Sequence, residues 1–143
     1  MTEPVPSQEF SERPAPPAAV RFVRRHKVVL VRAAFSKVVL ANIPKHLPLA
    51  LLALAGSLEG RHEPVLVDRA VKKDDHLLAR ILGDREVTCV GISVHTGPGL
   101  MDALHCSRLV KRLRPDVTVV WGGWHATKAP ASILREPSSD FVI

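Results

Sequence analysis

From residue 27 onward the sequence alternates short, almost wholly apolar runs with longer stretches of helical character, and that rhythm constrains the fold more than any other feature. "KVVLVRA" (27–33), "PVLVD" (64–68), "VTCVGISV" (87–94), "VTVVW" (117–121) and "DFVI" (140–143) read as strands. Unbroken apolarity, rather than alternation, is what a strand needs when helices cover both faces of a parallel sheet. Between them, "PLALLALAGSLEG" (48–60) starts on proline and stops on glycine, the usual polarity of a helix. It is apolar nearly all round, which predicts deep burial. "DDHLLARIL" (74–82) opens on carboxylates suited to a helix N-terminus, and Gly83 can close it. "LMDALHCSRLVKRLR" (100–114) sets Cys106, Leu109, Val110 and Leu113 on one face, with Arg108, Lys111, Arg112 and Arg114 toward solvent. "PASILRE" (130–136) is a short helix opened by proline.

Strands and helices in alternation predict an α/β fold. The expected form is a Rossmann-like or flavodoxin-like doubly wound parallel sheet of about five strands, in the order 2-1-3-4-5 with right-handed crossovers. The sequence stops within the fifth strand, so the expected domain, residues 26–143, is truncated there and C-terminally incomplete.

The chain has 143 residues, 46% hydrophobic and 24% charged, which suits one soluble domain. Its net charge of +6 sits partly in "VRFVRRHK" (20–27), a patch that can attract nucleic acid or an anionic membrane or simply remain solvated. Aromatic residues are only 4%, with no tyrosine, so stacking surfaces are few. No run is long enough to cross a bilayer. The expectation is a disordered, Pro-rich basic leader over 1–25, with neither nucleic acid nor membrane as a partner. Cys89 and Cys106 read as small core hydrophobes rather than a disulfide or metal site, which points to a reducing, cytoplasmic compartment.

In open α/β sheets, ligands bind beyond the carboxyl ends of the strands. Three loops build that edge: residues 34–47, "SVHTGPG" (93–99) and "GGWHAT" (122–127). The first is long enough to suggest function. The second sets Ser93, His95 and Thr96 before Gly97, Pro98 and Gly99 at a helix start, where free N–H groups suit amide oxygens or phosphate. In the third, Gly122 and Gly123 mean either a tight turn or something large against bare backbone. A receiver domain's acidic cluster is missing, as is a P-loop, and "GPGLMD" (97–102) matches the dinucleotide fingerprint only in part. Asp68, at a strand end, suits a ribose or a helix cap equally. Trp121 and Trp124 read as packing anchors, and His26, His46, His62, His76 and His105 as surface or cap residues. No residue is assigned a catalytic or metal-ligand role. From the residues alone, a nucleotide- or anion-binding module and a truncated relict that binds nothing both remain open.

The set "SVHTGP" after strand three, "VVWGGWHAT" after strand four and the helix "PLALLALAGSLEG" resembles the cobalamin-binding domain that precedes the catalytic barrel in B12-dependent radical SAM enzymes, over residues 27–143. The resemblance implies a corrinoid at the strand ends and its nucleotide tail between sheet and helix. It implies that Ser93 bonds the tail, that Thr96 and Gly97 meet the corrin rim, and that Gly122 and Gly123 line the tail channel. His95 and His125 are further cofactor contacts, His125 reaching ring or tail, and Trp124 can shield the corrin edge. The Asp-x-His-x-x-Gly motif that supplies cobalt's lower histidine is missing, which implies base-off cobalamin without a protein histidine. The Cys-x-x-x-Cys-x-x-Cys motif is also missing, which implies no iron–sulfur cluster in this chain and a radical SAM domain or separate chain as partner.

Overall fold

The computed structural model describes residues 26–34 and 47–143. The leader over 1–25 and most of the 34–47 loop lie outside the described residues. Strands β1 (Lys27–Arg32), β2 (Glu63–Asp68), β3 (Val87–Ser93), β4 (Thr118–Gly122) and β5 (Phe141–Val142) form one sheet. Every pairing is parallel and the order is β2-β1-β3-β4-β5, as expected. The helices are α1 (Leu49–Leu58), α2 (Asp75–Leu82), α3 (Gly99–Leu113), α4 (Trp124–Lys128) and α5 (Pro130–Leu134). None of the described helices is long and apolar enough to cross a membrane.

The chain reverses its direction of travel across the sheet between β1→β2 and β2→β3, so right-handed crossovers put α1 and α2 on opposite faces. The two faces are unequal. On the α2–α3 face, Val31, Val90, Ile92, Val119 and Trp121 close a continuous core with Leu78, Leu82, Cys106 and Val110. Burial pushes the Cys106 thiol up to about 12, in keeping with a core residue. On the α1 face, the register aligns Leu66, Leu30, Gly91, Val120 and Phe141 across all five strands. Helix α1 covers only the β1–β2 end of that row, so Phe141 stays 59% exposed.

Several expectations need correction. Helix α1 is not deeply buried: Leu51 alone is sealed, while Leu49, Leu52 and Leu54 are exposed. It meets the sheet along a single line, and its uniform apolarity does not say which side that will be. "GGWHAT" is not wholly loop, because α4 begins at Trp124. Leu113 lies 45% exposed at the end of α3. Arg114 turns inward instead of outward, its guanidinium donating to the carbonyls of Leu82 (2.8 Å) and Asp84 (3.1 Å). Asp74 does cap α2 as its position implied, accepting from Leu77 N at 2.9 Å.

One buried ion pair ties the carboxyl ends of β1 and β2 to α3. Asp102 Oδ1 and Oδ2 accept from Arg69 Nη2 (2.9 Å) and Nε (3.0 Å), and Oδ2 also accepts from Ala34 N at 2.7 Å. Arg69 further reaches Asp75 at 2.9 Å, and Asp75 pairs with His105 at 2.7 Å. Burial acts to raise the Asp102 carboxyl, yet Arg69 and the Ala34 amide outweigh it and hold it below its ordinary 3.8. A depressed carboxylate contributes stability above its unfolded pKa and loses it as pH falls through the folded value. Acid unfolding of the wild type therefore steepens below pH 3.8. Asp102→Ala strands a buried guanidinium and should cost about 3–5 kcal/mol in urea unfolding at neutral pH, with less acid sensitivity left. A loss under about 1 kcal/mol would mean Arg69 finds solvent instead.

Candidate functional site

The carboxyl edge of the sheet gathers the chemistry, and the reason is register. Ser93 ends β3 and Gly122 ends β4, and the two are paired, with Arg32 of β1 beside Ser93 and Asp68 of β2 beside Arg32. Alternation along each strand sends all four toward the α1 face. Asp68 is held within the chain: its carboxylate accepts from Arg32 Nε at 2.8 Å and Nη2 at 2.5 Å, and also from Ala70 N at 3.0 Å.

The two glycines play different parts. Gly123 has φ +92°, and a Cβ there would lie 2.8 Å from the Val94 carbonyl oxygen, 3.0 Å from Val94 N and 3.1 Å from Ser93 Oγ. Its bareness lets the β4 exit press on the end of β3, where Val94 N donates to Gly122 O and His125 N to Val94 O. The space beside Gly123 is thus filled by backbone rather than left as a slot. A Cβ on Gly122 would instead meet only the Ile143 side chain, at 3.2 Å, and Ile143 is 72% exposed. Gly122 therefore looks onto the α1 face of the sheet.

Gly91, which sequence reasoning passed over, belongs with it. A Cβ there would touch only Leu30 Cδ2, at 3.3 Å. An isolated glycine inside a strand pattern signals close approach by another group, and that signal was available. Adjacent strands lie about 4.8 Å apart and same-face residues about 6.7 Å apart along a strand. Gly91, Ser93 and Gly122 thus form a run of small residues on the α1 face, with Leu30 Cδ2 and the Ile143 side chain nearest, among the described residues, to where the glycines' Cβ atoms would stand.

The remaining expected residues form a second group at the rim. Thr96 Oγ1 lies 3.3 Å from His125 Nδ1, joining the β3–α3 loop to α4. His95 and Gly97 are exposed on the same loop, and Gly97 takes φ +110° with open space within 4 Å of where a Cβ would stand. His125 is placed by α4 on the α3 side of the sheet, away from the face that Ser93 and Gly122 share. Trp121 is the packing anchor expected, fully buried, whereas Trp124 is not: it is 58% exposed, with Lys128 Nζ 4.8 Å from its ring centroid.

A family model described as "B12 binding domain" matches residues 36–143. No curated protein matches the chain. Among solved structures, the radical S-adenosylmethionine methyltransferase TsrM from Kitasatospora setae aligns with TM-score 0.60 and 22% identity, over 73% of this chain and 20% of that one. The cobalamin-dependent S-adenosylmethionine radical enzyme OxsB aligns with TM-score 0.65 and 21% identity, over 83% of this chain and 17% of that one. A cobalamin-binding protein from Desulfitobacterium hafniense DCB-2 aligns with TM-score 0.57 and 17% identity, over 82% of this chain and 52% of that one. The chain thus spans about a fifth of the length of the two radical enzymes, and at these identities the likeness is one of fold.

The glycine geometry predicts an asymmetry. Gly123→Ala combines a disfavoured φ with a backbone clash and should lower stability by about 2 kcal/mol or more in urea unfolding. Gly122→Ala should stay within about 0.5 kcal/mol, since only an exposed side chain must shift. Equal losses at both positions would show that the close approach at Gly123 is not what requires glycine.

Proposed function

This chain belongs to the B12 binding domain family, and from that premise we propose that it holds cobalamin at the carboxyl ends of its strands as the corrinoid module of a radical SAM enzyme. The observation that carries the reading is the run of small residues, Gly91, Ser93 and Gly122, at the carboxyl end of the α1 face, taken here as the trough for the nucleotide tail. Its residues fit the group: Gly91 and Gly122 leave room for the flat base of the nucleotide tail, and the Ser93 hydroxyl stands beside it to hydrogen-bond. At the rim, the polar Thr96–Gly97 turn suits the amide-bearing edge of the macrocycle, and Trp124 can lie against its apolar border. His95 and His125 serve as rim contacts. Gly123 acts through position, by bringing β4 against Ser93 and Val94.

Bound cobalamin supplies cobalt–carbon chemistry that no side chain here provides. The chain's own share is to bind the tail, to orient the ring and to screen its lower side from water. With the Asp-x-His-x-x-Gly motif missing from the sequence, the reading is a base-off cofactor with no protein histidine on cobalt. The catalytic radical chemistry and its iron–sulfur cluster then belong to a radical SAM domain or partner chain, and two much longer S-adenosylmethionine radical enzymes share this fold.

Mixed with hydroxocobalamin and desalted, the purified chain should retain the corrinoid with a shifted visible spectrum. Gly122→Val should keep the wild-type circular dichroism yet lose retention at least tenfold, because the new side chain fills the trough. Full retention by that variant would place the tail elsewhere, and no retention by the wild-type folded chain would remove the assignment. After reduction, the Co(II) electron paramagnetic resonance spectrum should lack nitrogen superhyperfine splitting. A nitrogen triplet lost on His125→Ala or His95→Ala would overturn the base-off, histidine-free reading.

A further inference from the structure

Gly91 sits in the middle of β3, a central strand, and nothing among the described residues requires it to be glycine. Glycine inside a strand weakens it, and usually marks a left-handed backbone, a bulge or a close approach by another group. Gly91 has no positive φ, unlike Gly60, Gly97 and Gly123. No bulge falls on it: it pairs with Leu30 of β1 and Val120 of β4, and the register shift between β1 and β3 lies at Lys27/Val28. No described backbone presses on it either. A Cβ there would meet only Leu30 Cδ2, the far end of a side chain, at 3.3 Å. Its neighbours in the same row, Leu66, Leu30, Val120 and Phe141, all keep large side chains. Of the usual reasons, room for a group from outside the sheet is the one that remains.

Register also gives the order in which such a group meets the strand. On the α1 face, β3 presents Ser93 at the carboxyl edge, then Gly91, then Cys89, and β4 presents Gly122, Val120 and Thr118 beside them. A ligand entering from that edge passes Ser93 and Gly122 first, where both strands are small. One same-face step deeper, about 6.7 Å on, only β3 is small. There Gly91 is flanked by Leu30 on one side and Val120 on the other. At the next step Cys89 restores a side chain on β3, and burial pushes its thiol above the ordinary value, which makes it an uncharged floor.

We propose that Gly91 decides which lower base the chain accepts: its missing side chain admits a fused two-ring base such as benzimidazole, where any larger residue would stop the tail at a single ring. This role rests on the corrinoid reading above and adds to it a residue that sets specificity. Ser93 and Gly122 line the entry and bear on every base, whereas Gly91 bears only on the deeper ring. Leu30 and Val120 flank that position without polar groups, which favours a hydrocarbon ring there over the nitrogen-rich edge of a purine.

The test is a binding titration of the full chain, wild type, Gly91→Ala and Gly91→Val, with three corrinoids followed by their visible spectra. They are hydroxocobalamin, a cobamide whose lower base is a single phenolic ring, and cobinamide, which has no tail. Gly91→Ala should bind hydroxocobalamin about tenfold more weakly than the wild type, the cost of overfilling a fitted space, and Gly91→Val more weakly still. Both should bind the phenolic cobamide and cobinamide within about twofold of the wild type. Without corrinoid, the urea midpoint of Gly91→Ala should equal or exceed that of the wild type, because alanine suits a strand interior better than glycine. Hydroxocobalamin bound by Gly91→Ala as by the wild type would overturn the role of Gly91 and leave the corrinoid reading standing. A lowered midpoint with all three corrinoids weakened alike would overturn it too, as the mark of a structural glycine. A folded wild-type chain that binds none of the three would remove the corrinoid reading, and this role with it.

Discussion

The site depends on one close approach of backbone to backbone, where the exit of β4 presses on the end of β3 at Gly123. A Cβ there would be 2.8 Å from the Val94 carbonyl, inside any tolerable contact. Because the residue is bare, Val94 N reaches Gly122 O and His125 N reaches Val94 O. That stitch starts α4 at Trp124, brings His125 to Thr96 and fixes Gly122 beside Ser93. The placing of Gly122 at the strand end and the rim contact of His125 both follow from it.

A second constraint is the inequality of the two sheet faces. The α2–α3 face is closed by a continuous apolar core, and that core supplies most of the hydrophobic stabilisation. Among the described residues, helix α1 packs on the other face over β1 and β2, with Leu51 its buried residue. Beyond that, small residues replace large ones at Gly91, Ser93 and Gly122. A sheet meant only to pack against a helix would place branched side chains there, as it does at Val120 in the same row. The small residues are therefore local to two adjoining strands, and they reach the carboxyl edge where α/β sheets bind ligands.

Electrostatics at that edge are mostly internal. Arg32 is matched by Asp68, and Arg69 by Asp102 with Asp75 behind it, so these cations brace the strand ends. The edge offers hydroxyls, amides and bare backbone more than net charge, which suits a large neutral ligand rimmed with amides better than a phosphate-rich one.

The order of elements was legible from sequence because unbroken apolar strands and capped helices are local patterns, and parallel crossovers permit few topologies. Ser93, Gly122 and Gly123 could be singled out for the same reason: glycine and serine at a strand end are departures visible in the string itself. What each does was not legible. That Gly123 serves a backbone contact while Gly122 faces only a side chain depends on neighbours distant in sequence, Val94 and Ile143. Whether an all-apolar helix is buried depends on how much of it meets the sheet, and α1 meets it along Leu51 alone among its sealed residues. The unpartnered indole of Trp121 and the inward turn of Arg114 are likewise facts of packing. Sequence determined the periodicities, which act over a few residues; only the tertiary structure decided which atoms are left without partners, because that is settled between segments brought together from far apart in the chain.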